Sequence, residues 1–294
     1  MPCDTGGVSV RTWWIGARPR TLPAAVVPVA VGTAAGARSG EVSWWLAATC
    51  LLVSLALQVG VNFANDYSDG VRGTDEGRTG PARLVASGMA APSRVRAAAA
   101  ASFGVAAVGG LAAAAATSWW LLVVGAASIA AGALYTGGPK PYGYLGLGEA
   151  FVFVFFGVVA TCGTAFVATG SVGAVAAASS VPVGLLAVAL LMANNLRDIP
   201  GDRRSGKRTL AVRLGDAAMR KVFVATFGAA AAGLVLVSSL APWSALALLG
   251  FVAAADPVRR VRHGAAGREL VPVLEGAARV QIVVGALLAV GLSI

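Results

Sequence analysis

Histidine and cysteine are nearly missing from this chain, which has one His and three Cys in 294 residues. Imidazole acid–base chemistry and the His- and Cys-built sites of zinc enzymes therefore have almost no material to work with. Cys3, Cys50 and Cys162 show none of the paired spacing of a disulfide framework and read as small apolar side chains. The single histidine, His263, lies in the basic stretch RRVRHGAAGR and reads as solvated. Charge is scarce as well. Only 12% of residues are charged, and acids are the smaller share, 13 against 23 Lys and Arg. The N-terminal stretch offers no short apolar core followed by a small-residue cleavage site, so no cleaved signal peptide is expected.

Apolar residues fill the gap. They make up 57% of the chain before its 38 glycines are counted, above the roughly 45–50%, glycine included, of soluble domains. The charges are clustered, which leaves recurrent uncharged stretches of about 20 residues, the length that crosses a hydrocarbon layer. The pattern predicts an all-α polytopic membrane protein, one domain over residues 1–294, with nine crossings near 21–37, 43–64, 95–115, 118–136, 149–169, 173–195, 219–240, 243–255 and 271–294. The eighth is short and must borrow from its flanking loops or thin the bilayer.

With a cytoplasmic N-terminus, this layout places every one of the 23 Lys and Arg residues except Arg38 in an inside segment. The positive-inside rule thus accounts for the net charge of +10, and no nucleic acid is expected as a partner. Trp44, Trp45, Trp119, Trp120 and Trp243 fall at the outer helix ends, as an interfacial belt would. Runs such as AAAAASFGVAAVGGLAAAAA carry no chemistry. They let helices approach closely where lipid supplies no hydrophobic drive.

The chemistry-bearing residues gather in three loops. Two are acidic, begin near 65 and 195, and are separated by four predicted helices, which puts both on one face. The first offers Asn65, Asp66, Asp69 and Asp75, the second Asp198 and Asp202. Asn65 and Asp69 share a helix face if the helix persists to Gly70. Pro200 and Gly201 predict a kinked or ending helix between Asp198 and Asp202. Hard oxygen ligands without His or Cys favour Mg²⁺, or Mn²⁺, bridging to substrate phosphates. The third loop, YTGGPKPYGYLGLGE at 135–149, holds Tyr135, Tyr142, Tyr144, Lys140 and Glu149. Glu149 has a bland reading as a carboxylate at the positive end of a helix.

Arg72, Lys140, Arg203, Lys207 and Arg208 are candidates to bind diphosphate oxygens. Lys140, Tyr135 and Arg72 are the candidate catalytic residues, with the ring of Tyr135, Phe63 or Tyr67 available to stabilise an allylic cation. Asn62, Asn194 and Asn195, with Gln58, are the polar intrusions into the apolar cores.

Together NDYSDGVRGTDEGRTGPARLVASG, YTGGPKPYGYLGLGEAFVFVFFG, NNLRDIPGDRRSGKRTLAVRLG and ARPRTLPAAVVPVAVGTA resemble the UbiA superfamily of intramembrane prenyltransferases, in its naphthoate branch. The resemblance spans nearly the whole chain. It implies a nine-helix bundle open laterally to lipid, in the bacterial plasma membrane with the active site towards the cytoplasm. It also implies a polyprenyl diphosphate held through Mg²⁺ by an NxxxD motif, Asn65 with Asp69, and a DxxxD motif, Asp198 with Asp202. Where the superfamily often has a third acid this chain has Gly73, with Asp75 two residues on. The implied reaction joins the prenyl group to 1,4-dihydroxy-2-naphthoate with loss of diphosphate and CO₂, giving demethylmenaquinol. Another aromatic acceptor, homogentisate or 4-hydroxybenzoate, is the alternative within the enzyme class. A transporter of an anionic lipid-soluble substrate is the alternative outside it.

Overall fold

A computed structural model describes residues 9–74 and 80–294, and its described residues are helical with no strand. In chain order the helices are α1 (Val10–Ala17), α2 (Pro23–Ala37), α3 (Trp44–Val71), α4 (Pro92–Ala116) and α5 (Leu121–Leu134). Next come α6 (Gly148–Val152) and α7 (Ala160–Thr169), which a π-helical stretch, Phe153–Val159, joins into one rod. The remainder are α8 (Ala174–Arg204), α9 (Leu210–Leu214), α10 (Asp216–Leu240), α11 (Leu246–Leu249), α12 (Ala255–Arg262) and α13 (Leu270–Ser293). Proline stands at the first position of α2 and α4, where its missing N–H costs nothing, and Gly170 at φ 80° ends α7.

Six segments among the described residues are long and apolar enough to cross a membrane: α3, α4, the 148–169 rod, α8, α10 and Gly267–Ser293. The chain is a multi-pass membrane protein. Two further expected crossings are shorter apolar helices, α2 with 15 residues and α5 with 14. At the expected eighth crossing, 3₁₀ turns Pro242–Ala245 and Gly250–Ala254 alternate with α11 and α12. A 3₁₀ turn rises about 2.0 Å per residue against 1.5 Å for an α-helix, so residues 242–262 reach roughly 36 Å if laid end to end.

Pro200 and Gly201 do not end α8, which runs through both and through Pro182 to Arg204. Each proline removes one backbone bond; Pro182 is buried among neighbouring helices, whereas Pro200 is exposed. Asp198 and Asp202 are therefore one helical turn apart.

The main core joins α8 to α2, α10 and α13 around Val31, Leu186, Phe223, Leu234 and Leu288. A second cluster seats α1 and the 84–90 segment on α3 and α4 through Phe63, Leu84 and Val95. Small residues set the closest approach. A Cβ at Gly157 would lie 2.6 Å from the Cα of Gly184, and one at Gly184 would lie 2.9 Å from the Cα of Gly157. The five tryptophans of the expected belt are all exposed. Trp44 opens α3, whose other end carries Asp69, so the acids and that part of the belt lie at opposite ends of the bundle.

Gly184→Val should therefore destabilise the bundle by about 1–3 kcal/mol or more, since it overpacks a backbone contact. Gly228→Ala, which meets nothing within 4 Å on α10, should be neutral by comparison. Thermal unfolding in detergent checks the pair, and equal melting temperatures would refute the packing assignment.

Candidate active site

Between the core block and α3–α5 lies a cavity of about 1040 Å³. Its polar end is built where α3 and α8 finish. α3 persists to Val71, so Asn65 and Asp69 lie on one face and both line the cavity. Asn65 Oδ1 accepts from Thr136 Oγ1 at 2.8 Å. Asp69 Oδ1 accepts from the Tyr144 hydroxyl at 2.6 Å and pairs with Lys207 Nζ at 3.0 Å. Asp69 Oδ2 takes no donor among the described residues.

α8 brings Asp198 and Asp202 to the same cavity. Asp198 is gripped by its own neighbour, since Arg197 Nε and Nη2 donate to its two oxygens at 2.8 and 2.9 Å, and Nη2 also reaches Asn194 Oδ1 at 2.9 Å. The guanidinium is fully buried, and Gly80 lets the backbone lie against it, where a Cβ would meet Arg197 Cζ at 3.2 Å. Asp202 accepts from Thr209 Oγ1 at 3.4 Å, and its carbonyl takes the Lys207 N–H at 2.8 Å. A tight turn thus aims Lys207 back at Asp69.

The tyrosine loop fastens these pieces together. Arg208 N–H donates to the Tyr144 carbonyl at 2.9 Å, and the Lys207 ammonium sits 4.7 Å above the Tyr144 ring. Burial, then the charge of Asp69, pushes the Tyr144 phenol above its ordinary pKa, so it stays a donor. Burial alone would lower the Lys207 pKa, but Asp69 and then Tyr144 outweigh it and raise the value, so the ammonium stays charged.

Several expected site residues lie elsewhere. Asp66 is fully buried and does not line the cavity. Its oxygens accept from the Leu84 and Val85 N–H groups at 2.9 and 3.0 Å, so it anchors the 84–88 turn. Arg72 is exposed and clamps the tyrosine loop, donating to the carbonyls of Thr136 and Gly138. Lys140 is exposed and outside the cavity wall. Gly138, at φ 75°, and the flanking prolines turn the loop so that Tyr144, and not Lys140, reaches Asp69. Arg203 and Arg208 are exposed and off the wall, whereas Lys207 is buried and on it. Phe63 packs edge-on against Trp13, and Tyr67 lies under Arg96. Of the three rings proposed for cation stabilisation only Tyr135 lines the cavity. Asp75 falls outside the described residues.

Asn62, Asn194 and Asn195 do line the cavity. Asn62 and Gln58 form a network with Thr21 and the Ala17 carbonyl at 2.8–3.3 Å. Arg18, held at a left-handed φ of 53°, donates to the Asn62 carbonyl at 3.1 Å. Arg18, Arg197 and Tyr144 are wall residues that the spacing of the acids did not point to. Below this polar end the wall is apolar, with Leu57, Val61, Leu111, Leu122 and Ile129.

The sequence matches the UbiA prenyltransferase family over residues 25–269. The chain belongs to that family. Among its relatives, the 1,4-dihydroxy-2-naphthoate octaprenyltransferase of Mycobacterium tuberculosis is 46% identical over 266 residues, covering 90% of this chain and 91% of the relative. The enzyme of the same name from Bacillus subtilis is 31% identical over 287 residues, covering 96% and 92%. A UbiA homolog from Archaeoglobus fulgidus, solved bound to GPP and Mg²⁺, superposes with a TM-score of 0.68 over 94% of this chain and 99% of that one. Its 15% identity speaks for the fold alone.

The division of labour between neighbouring acids is testable. Asp66→Ala leaves two buried N–H groups without their charged acceptor and should cost about 2–4 kcal/mol of stability. Asp69→Asn, which keeps an acceptor for the Tyr144 hydroxyl and leaves Lys207 open to the cavity, should melt nearer the parent than Asp66→Ala does. Equal losses in a thermal melt would undo the distinction.

Proposed function

We propose that this chain transfers a polyprenyl group from polyprenyl diphosphate to 1,4-dihydroxy-2-naphthoate, releasing diphosphate and CO₂ and giving demethylmenaquinol for menaquinone synthesis. The observation that carries this reading is 46% identity to a naphthoate octaprenyltransferase across nine-tenths of both chains. The cavity supports it. An acidic and cationic end suits a diphosphate, and the apolar remainder suits a prenyl tail.

The donor set fits Mg²⁺, with Mn²⁺ as a substitute. It consists of hard oxygens, and among the described residues no three acids, His or Cys are grouped into a closed cage. That is the arrangement expected of an ion held by one or two carboxylates and completed by phosphates and water. Asn65 and Asp69 would hold one ion and Asp198 and Asp202 another, and Asp69 keeps Oδ2 for the purpose. When bound, the ions supply positive charge that stabilises the departing diphosphate. Lys207 binds a diphosphate oxygen and follows the charge onto the leaving group. Tyr135 offers its ring at the allylic carbon, and the apolar wall excludes water from it.

The reading places nine crossings in a bacterial plasma membrane as one domain, with the N-terminus and the acidic end towards the cytoplasm, in keeping with the distribution of Lys and Arg. Purified protein given Mg²⁺, one polyprenyl diphosphate and a panel of aromatic acids, with products read by mass spectrometry, tests it. Product from dihydroxynaphthoate is expected. Product only from homogentisate or 4-hydroxybenzoate would move the acceptor assignment, and turnover undiminished in excess EDTA would remove the metal.

At the residue level, Asp198→Ala should lower turnover by orders of magnitude without unfolding the bundle. Lys207→Met should do so by about 10–100-fold, a loss of roughly 1.4–2.8 kcal/mol of transition-state stabilisation. Lys140→Met should track Arg38→Met, whose arginine lies at the opposite end against the Leu292 carbonyl. A Lys140 variant as impaired as the Lys207 variant would contradict the outward course of the loop.

A further inference from the structure

Glu149 has no task in the reading above. It opens α6, is 6% exposed, and begins a span long enough to cross a membrane. A carboxylate is costly to bury there. Its Oε1 accepts from Asn195 Nδ2 at 2.9 Å, while Oε2 is buried with no partner among the described residues. Asn195 and Tyr135 line the cavity and Glu149 does not, so the carboxylate meets any ligand through them.

The carboxylate decides which way round the Asn195 amide lies. A carboxylate only accepts, so the NH₂ end must face it. Oδ1 is then the end left over, and it takes no hydrogen bond among the described residues. The Tyr135 hydroxyl likewise has no partner among them. Depth matters next. Asn195 precedes Asp198 by three residues, about 4.5 Å along the helix towards the apolar region. With a diphosphate held by Lys207 and by metal on Asp69 and Asp198, the first carbon of its chain would lie at this level. A reacting ring must come within about 3–3.5 Å of that carbon. Beside it Tyr142 stacks on Phe151 with centroids 3.9 Å apart, and both line the cavity.

Resting on the proposed prenyl transfer, we infer that this wall is the acceptor's subsite. Asn195 Oδ1 accepts a hydrogen bond from a ring hydroxyl, Tyr135 meets a second ring oxygen, and the flat ring lies beside the Tyr142–Phe151 pair. Glu149 is a positioning residue that acts through Asn195. The fixed amide selects a hydroxylated ring over its ether or quinone, which have no proton to give. By contrast, the amide nitrogens of Gln58 and Asn62 on the α3 side already have partners in their own network.

The test uses the full chain in detergent with 4-hydroxy-2-naphthoate and 4-methoxy-2-naphthoate as competitive inhibitors against the acceptor. The parent should prefer the hydroxyl compound by about tenfold, the worth of one such hydrogen bond. Glu149→Leu and Asn195→Ala should each erase that preference and raise the acceptor KM about tenfold, with the donor KM unchanged. Glu149→Gln keeps an oxygen for the amide and should keep the preference, and the double variant Glu149→Leu/Asn195→Ala should be no worse than either single one. Equal inhibition by both compounds in the parent overturns the subsite. So does a preference that survives Asn195→Ala, which decides the matter if Glu149→Leu does not fold. A Glu149→Gln variant as impaired as Glu149→Leu overturns the positioning role. A parent that prenylates a different hydroxyaromatic refutes the naphthoate assignment but not the subsite, and the same comparison is then run with that acceptor's ether. A parent that prenylates no aromatic acid overturns both.

Discussion

Everything at the polar end depends on how closely α8 can lie against the 148–169 rod. Lipid tails are as apolar as leucine, so helices in a bilayer gain little by hiding apolar side chains from their surroundings. Contact has to come from backbone approach, and Gly157 against Gly184 supplies it. That contact fixes the rotation of α8, and rotation decides what faces the cavity. With it set, Asp198, Asp202 and Asn195 point inward together, opposite Asn65 and Asp69 on α3. The chemistry is thus positioned by residues that have no side chain to contribute.

The second constraint is charge. Carboxylates at the edge of a low-dielectric region need compensation, and each acid of the site has found a different kind. Asp66 takes two backbone N–H groups and becomes part of the scaffold. Asp198 takes the guanidinium beside it in sequence, and Asp69 takes an ammonium and a phenol from two other loops. The last arrangement brings two loops together at the cavity. It makes the tyrosine loop and the 205–209 turn parts of one assembly, with the Arg72 clamp holding the far side.

Much of this was legible in the residues and some was not, for definite reasons. The crossings follow from where charge is missing, and the facing of Asn65 with Asp69 follows from a spacing of four. Helix arithmetic also separates Asp66. At about 100° per residue it is turned roughly 100° from Asn65 and 60° from Asp69, enough to face a different neighbour. Lys140 could not be placed that way, because a loop of glycines and prolines has no period and its path is set by which residue meets Asp69. Arg197 was counted among the cations that fix orientation. That its side chain folds back onto the very next residue is a matter of burial, and no pattern of spacing announces it. The continuity of α8 through Pro200 is similar, since local propensity argues against a helical turn there.

The Asp69–Lys207 pair has a thermodynamic consequence. At rest the two charges satisfy each other, so a diphosphate that claimed Lys207 alone would strand Asp69 without a counter-charge. A cation that claimed Asp69 alone would strand Lys207 in the same way. The two vacancies cancel only when both ligands are present. On the proposed reading donor and metal therefore bind with positive cooperativity, each strengthening the other by the same factor. The resting ion pair acts as a gate that neither ligand opens efficiently by itself.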